Sequence, residues 1–126
     1  MIILSDIHKE LEISSLPVST KIFIGKNAKE NSELVKRFQN SSGVWFHLKD
    51  LPSPHIIILD TENTNSKIIL NKQLLIYIGG LMKLHSKKAF ACSKNLKMEY
   101  TEISNVKTTS TPGLVTLKKS PMIFKI

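Results

Sequence analysis

The chain has 126 residues, 41% of them hydrophobic and 22% charged, and carries a formal net charge of +8 at pH 7. That length supports one domain burying roughly two-thirds of its unfolded surface, and the apolar content excludes a disordered chain. Its one cysteine, Cys92, excludes an intrachain disulfide and a cysteine-based zinc site, and is read as a small buried hydrophobe.

Met1–Leu4 reads as a short strand, followed by weak alternation over Lys9–Ile13. After a turn at Pro17, Lys21–Gly25 reads as a strand. Asn27–Phe38 reads as a helix: Asn27 caps it, Glu30 completes an N-x-x-E box, and Leu34, Val35 and Phe38 share a face. Asn40-Ser41-Ser42-Gly43 closes that unit as a turn. Val44–Leu48 is a strand with Val44, Phe46 and Leu48 on one face, so a period of two puts Trp45 and His47 on the other. Asp50–Pro54 makes a loop, and His55–Asp60, the most apolar strand, belongs at the centre of the sheet. Thr61–Lys67 is a polar loop.

Asn71 caps a helix that the apolar spacing carries to about Ala91, with Leu74, Leu75, Ile78, Leu81, Met82 and His85 on one face. Gly79-Gly80 inside it implies either close packing onto the sheet or a break. Leu96, Met98 and Tyr100 alternate, Ile103–Lys107 is strand-like, and Leu114–Leu117 with Met122–Ile126 read as a hairpin around Lys118-Lys119-Ser120-Pro121. The order of elements implies one α+β domain over 1–126, an antiparallel or mixed sheet with two main helices on one side. The longest apolar run, Leu74–Met82, has nine residues, short of the ~20 that span a bilayer. The N-terminus lacks a basic segment ahead of its apolar one, so no signal peptide is expected and the protein is placed in the cytoplasm.

The stretch from Ile24 to Leu59 is the most distinctive. It runs through Gly25-Lys26-Asn27, Asn31, Val44-Trp45-Phe46-His47, Lys49-Asp50 and Ser53-Pro54-His55. Further on stand Ser86-Lys87, Tyr100-Thr101, Val106-Lys107 and Pro112-Gly113-Leu114-Val115. This ordered series resembles the NFACT-R domain, the nucleic-acid-binding module of ribosome-quality-control factors related to nuclear export mediator factor and bacterial FbpA, which also occurs as a small stand-alone protein. The family's helix ends at the Ser-Lys step, here Ser86-Lys87. Two positions depart from the family pattern: Gly43 stands where Asp is usual, and Pro54 where a small residue precedes the His. The resemblance implies an RNA-binding protein, with tRNA or large-subunit rRNA as partner, the ribosome as its place of action and DNA as a further possible ligand.

Charge agrees in kind. Residues 1–63 hold 7 Lys/Arg against 8 Asp/Glu, whereas residues 64–126 hold 11 against 2. Such a split predicts a positive face for a phosphate backbone or an anionic membrane, with a merely solvated lysine surface as the alternative. The RNA reading selects Lys26, Asn27 and Asn31 at the first helix start, where free N–H groups and the dipole favour anions. Trp45, His47 and His55 would stack on or hydrogen-bond to nucleotides if their face is open, and Trp45 is ordinary core if the long helix covers it. Lys83, Lys87 and Lys88 near the long helix's end, with Lys49, Lys94, Lys97 and Lys107, complete a phosphate-tracking stripe. His47 and His55 could begin a metal site, but no third ligand is evident, so no metal or cofactor is expected. No nucleophile, base and orienting group stand together, which argues against an enzyme. The rival reading is a protein-interaction adaptor docking on a ribosomal or other acidic partner.

Overall fold

The computed structural model describes residues 1–13 and 15–126. Its elements are β1 (Ile2–Leu4), α1 (Ile7–Leu11), β2 (Thr20–Ile24), α2 (Ala28–Phe38), β3 (Val44–Leu48), β4 (Ile56–Asp60), α3 (Lys72–His85), α4 (Lys88–Ala91), β5 (Lys97–Glu102), β6 (Val106–Thr108), β7 (Val115–Leu117) and β8 (Met122–Lys125). Six strands form one antiparallel sheet in the order β1-β2-β4-β3-β5-β8, and β6-β7 form a separate antiparallel pair. The α+β class holds, and the sheet is antiparallel throughout.

Its two faces carry separate cores. Ile22, Ile24, Phe46, Leu48, Ile56, Ile58 and Met98 meet Ile7 of α1 and Leu74, Ile78 and Met82 of α3. Phe23, Trp45, Ile57 and Leu59 meet Leu34, Val35 and Phe38 of α2, with Val106 of β6 and the flanking Val115 and Leu117 of β7. Helices therefore cover both sides of the sheet, not one. The two-sided burial explains why β4 is an unbroken apolar run: it lies between β2 and β3 and all five of its residues are buried.

Five further readings change. Ile103–Asn105 is a 3-10 turn, so only Val106 and Lys107 of that stretch are in a strand. Residues 7–11 are helical rather than extended. The long helix stops at His85, where Ser86 turns extended (φ −92°, ψ 160°) and its hydroxyl bonds the Met82 carbonyl, so Lys83 lies in α3, Lys87 in the break after it and Lys88 in α4. The last two strands do not pair: β7 joins β6, and β8 joins the edge of β5 through Met98↔Phe124 and Tyr100↔Met122. Cys92, just beyond α4, is exposed. Gly79 and Gly80 do not break α3; a Cβ on Gly79 would press to 2.6 Å from Ile126, whereas at Gly80 it would meet open space. Among the described residues no helix is long and apolar enough to cross a membrane.

Trp45 is the largest fully buried side chain, only 1% exposed. Trp45→Ala is expected to cost about 3–5 kcal/mol of unfolding free energy in urea denaturation; a loss below 1 kcal/mol would contradict its place in the α2-side core.

Candidate nucleic-acid interface

The site is built outward from His55. Its side chain lies on the α2 face of the sheet beside His47 of β3, the ring centroids 5.1 Å apart at 83°. Trp45 Nε1–H donates to His55 Nδ1 at 3.1 Å, which puts the proton of the neutral ring on Nε2, the nitrogen left for the Gly113 backbone. The His55 backbone is held as firmly: its N–H donates to Asn31 Oδ1 at 3.1 Å and its carbonyl accepts from Gly25 N–H at 3.0 Å. Gly25 is required here because a Cβ would overlap the Asn31 carboxamide. Burial depresses the His55 pKa to about 3; the His47 charge acts in the same direction, and the Gly113 backbone opposes both.

Around this floor opens a cleft of about 410 Å³, lined by Lys26, Asn27, Asn31, His47, His55 and Lys87 together with Pro54, His85, Phe90 and Gly113. The start of α2 forms one wall. Asn27 caps it, its Oδ1 accepting the Glu30 N–H at 2.9 Å. Glu30 folds back to accept the Lys26 N–H at 3.0 Å and to pair with the Met1 ammonium at 2.8 Å. Those two contacts, the ammonium first, hold its carboxyl below the usual carboxylate range. The Gly113 loop docks over the same turn, its N–H donating to Ser32 Oγ at 2.7 Å. Only glycine serves at 113, since φ is +79° and a Cβ would stand 2.9 Å from that of Ala28.

Two cations at the rim are uncommitted. Lys26 and Lys87 are exposed and make no ion pair among the described residues, where Lys67–Glu102 at 3.7 Å is the only pair of oppositely charged Lys/Arg and Asp/Glu side chains. The one arginine, Arg37, is spent on packing over Phe38 (5.0 Å) and Phe23 (5.6 Å). His47 Nδ1 lies 3.4 Å from Glu99 Oε1 but without hydrogen-bond geometry, so that contact becomes an ion pair only when the ring is protonated. A cavity of about 480 Å³ at the opposite end of the sheet holds the paired Lys67 and Glu102.

The structure thus brings together Lys26, Asn27, Asn31, His47, His55 and Lys87, and separates the rest. Lys49 lies by another depression with Lys94 and Lys97, Lys107 near Lys118 beside the far end of α2, and Lys83 and Lys88 outside the cleft lining. Trp45 offers no face to a base, because α2 and the β6-β7 pair close over it; the covering helix is α2, not the long one. Nor does His55 provide an imidazolium to phosphate near neutral pH, because it is buried and neutral with Nδ1 already bonded. Sequence reasoning missed Phe90, His85 and the Pro112-Gly113 turn. Apolar spacing puts His85 on the helix's core face, and the Pro-Gly step is the one sequence signal for the turn. Gly43, the departure from the family's Asp, lies at the opposite end of β3 from His47 and outside the cleft. Pro54 lines it. Among the described residues no three His, Cys, Asp or Glu side chains converge as for a metal.

The structure is a small α+β module, an antiparallel sheet between helices, with Lys26 and Lys87 on one cleft and in no ion pair among the described residues. Residues 14–119 match the profile of the NFACT protein RNA binding domain, and the chain belongs to that family. It is 27% identical over 105 residues to the Rqc2 homolog RqcH of Bacillus subtilis (strain 168), covering 82% of this chain and 17% of that protein. A solved structure, the C-terminal of the fibronectin/fibrinogen-binding protein from Streptococcus suis, superposes with a TM-score of 0.67 at 25% identity, over 85% of this chain and 40% of that one. Isocitrate lyase of Pseudomonas aeruginosa is 27% identical over 97 residues, but this stretch is 18% of that enzyme, too small a part to carry an activity across. The chain spans less than a fifth of the length of either curated relative.

The depressed His55 pKa makes the fold acid-sensitive. A base that stays neutral when folded favours the native state above its unfolded pKa of about 6.5, and that advantage is lost as pH falls toward about 3. Unfolding free energy should therefore decline between about pH 6 and 5, by up to about 1.4 kcal/mol per unit, and His55→Gln should flatten the decline. A flat wild-type profile there would contradict a neutral buried ring. Gly25→Ala should cost about 1–3 kcal/mol by displacing Asn31; an unchanged urea midpoint would show the close approach to be unimportant.

Proposed function

We propose that the chain is an RNA-binding module acting in translation, with tRNA or large-subunit rRNA as its ligand and the cleft at the start of α2 as its contact surface. The observation that carries this reading is the convergence of Lys26 and Lys87, far apart in sequence, on one cleft where neither forms an ion pair among the described residues. The chain's membership of an RNA-binding domain family supports the choice of RNA over another polyanion. Family resemblance points to the ribosome and its quality control as the place of action. Because the module corresponds to 17% of RqcH, the proposal concerns binding and not the complete activity of such a factor.

Phosphates would be neutralised at the rim by Lys26 and Lys87, and by the exposed Lys83 and Lys88 on the adjoining helices. Their contribution is electrostatic and largely independent of sequence. The carboxylate of Glu30 already sits against the α2 start, so the lysines carry the anion attraction rather than the helix dipole. The cleft is fixed by buried hydrogen bonds, so binding needs little rearrangement of its floor.

Fluorescence-anisotropy titrations of labelled tRNA, single-stranded RNA and duplex DNA over a salt series test this. With about six phosphates engaged, affinity should fall roughly a thousandfold between 50 and 200 mM salt. Lys26→Ala and Lys87→Ala should each reduce the salt slope by about 1, and Lys107→Ala should leave it unchanged. A flat salt response, or equal effects from Lys107→Ala and Lys26→Ala, would overturn the assignment. Absence of any binding at low salt by folded protein would favour the adaptor reading.

A further inference from the structure

We propose that the cleft is a receptor for one unpaired nucleotide, so that the domain selects single-stranded RNA segments over duplex. This rests on the RNA-binding reading and deepens it. A volume of about 410 Å³ falls in the range of sites that enclose a small ligand; it admits a splayed-out nucleotide, whereas the bases of a duplex remain stacked and paired outside.

The lining matches the parts of such a ligand. Lys26 and Lys87 supply charge at the rim for its phosphate, and Phe90, His47 and Pro54 present flat or apolar surfaces within. Phe90 is half-buried and packed against the α3-side core, so its ring is held before any ligand arrives. His47 is similarly set, stacked on Trp45 with centroids 5.6 Å apart and planes 7° from parallel. Preset planar groups are what base stacking uses, and stacking tolerates any base.

Asn31 adds a polar group to the wall. It is 7% exposed, and its Oδ1 is taken by the His55 N–H. Its side chain also lines the cleft. An amide at the cleft wall can donate to a carbonyl or ring nitrogen on a base edge. Glu30 repels anions from the end of α2, which leaves the phosphate between the two lysines and directs the base inward.

The shared chemistry is a nucleoside phosphate, and its source is a strand rather than a free nucleotide. The test compares the full chain's affinity for a labelled single-stranded RNA, the same strand in a blunt duplex, and free AMP and UMP as competitors. Phe90→Leu and Phe90→Tyr are measured alongside after their folding is checked. The single strand should bind at least tenfold more tightly than the duplex. Phe90→Leu should weaken the single strand about tenfold without affecting the duplex, and Phe90→Tyr should retain wild-type affinity. Equal affinity for duplex and single strand, or equal loss on both from Phe90→Leu, would overturn the nucleotide pocket while the RNA reading stands. Competition by AMP or UMP at concentrations matching the RNA affinity would assign the pocket to free nucleotides instead. No binding of either RNA at low salt would remove both readings.

Discussion

Three hydrogen bonds meet at His55. Its N–H donates to Asn31 of α2, its carbonyl accepts from Gly25 after β2, and its Nδ1 accepts from Trp45 of β3, with the Gly113 backbone beside the ring. A buried indole N–H without an acceptor would cost about 1–3 kcal/mol, as would an unpaired buried imidazole. Trp45 and His55 remove both penalties with one hydrogen bond, provided the imidazole stays neutral. The same residue ties β2, β3, β4 and α2 together beside the 112–113 turn, and the cleft lies where those segments meet the 85–90 stretch.

This division of labour fits a binding site. The floor is made of residues whose polar groups are committed to one another, which fixes shape. The rim carries Lys26 and Lys87, which form no ion pair among the described residues and, on the proposed reading, would attract a polyanion. Phosphate contacts at such a rim position a nucleic acid, and contacts deeper in determine which nucleotides are accepted. Trp45 and His55, which the sequence offers as ligand-touching groups, are buried and bonded to each other beside the cleft that His47, His55, Pro54 and Phe90 line.

Local structure was legible wherever one short-range rule governed it. The α2 cap follows from Asn27 and Glu30, and the Glu30 N–H does bond Asn27 Oδ1. The continuous apolar run of β4 signals a strand buried on both faces, which it is. What stayed hidden depends on distant partners. Alternation marks β7 and β8 as strands but cannot show that they pair with β6 and β5 rather than each other. A period of two puts Trp45 and His47 on one face, yet it is α2 and β6-β7 folding back that decide their exposure. Apolar periodicity also ran through the step at Ser86, where a side-chain bond to Met82 ends α3; the family resemblance had placed the helix end there. That step turns Lys87 and Phe90 to the cleft, so half of one wall was invisible to periodicity. Of the candidate site, Lys26, Asn27, Asn31, His47, His55 and Lys87 were found from the sequence and do share one cleft.

The most direct test of the cleft as the RNA interface is a map of which residues sense the ligand. ¹⁵N–¹H correlation spectra recorded during titration with tRNA fragments or single-stranded RNA would give it. Shifts concentrated at Lys26–Asn31, Ser53–His55, His85–Phe90 and Gly113, with Lys107 and Lys118 undisturbed, are the predicted result. Perturbations centred on Lys107 and Lys118, or spread evenly over every exposed lysine, would contradict it.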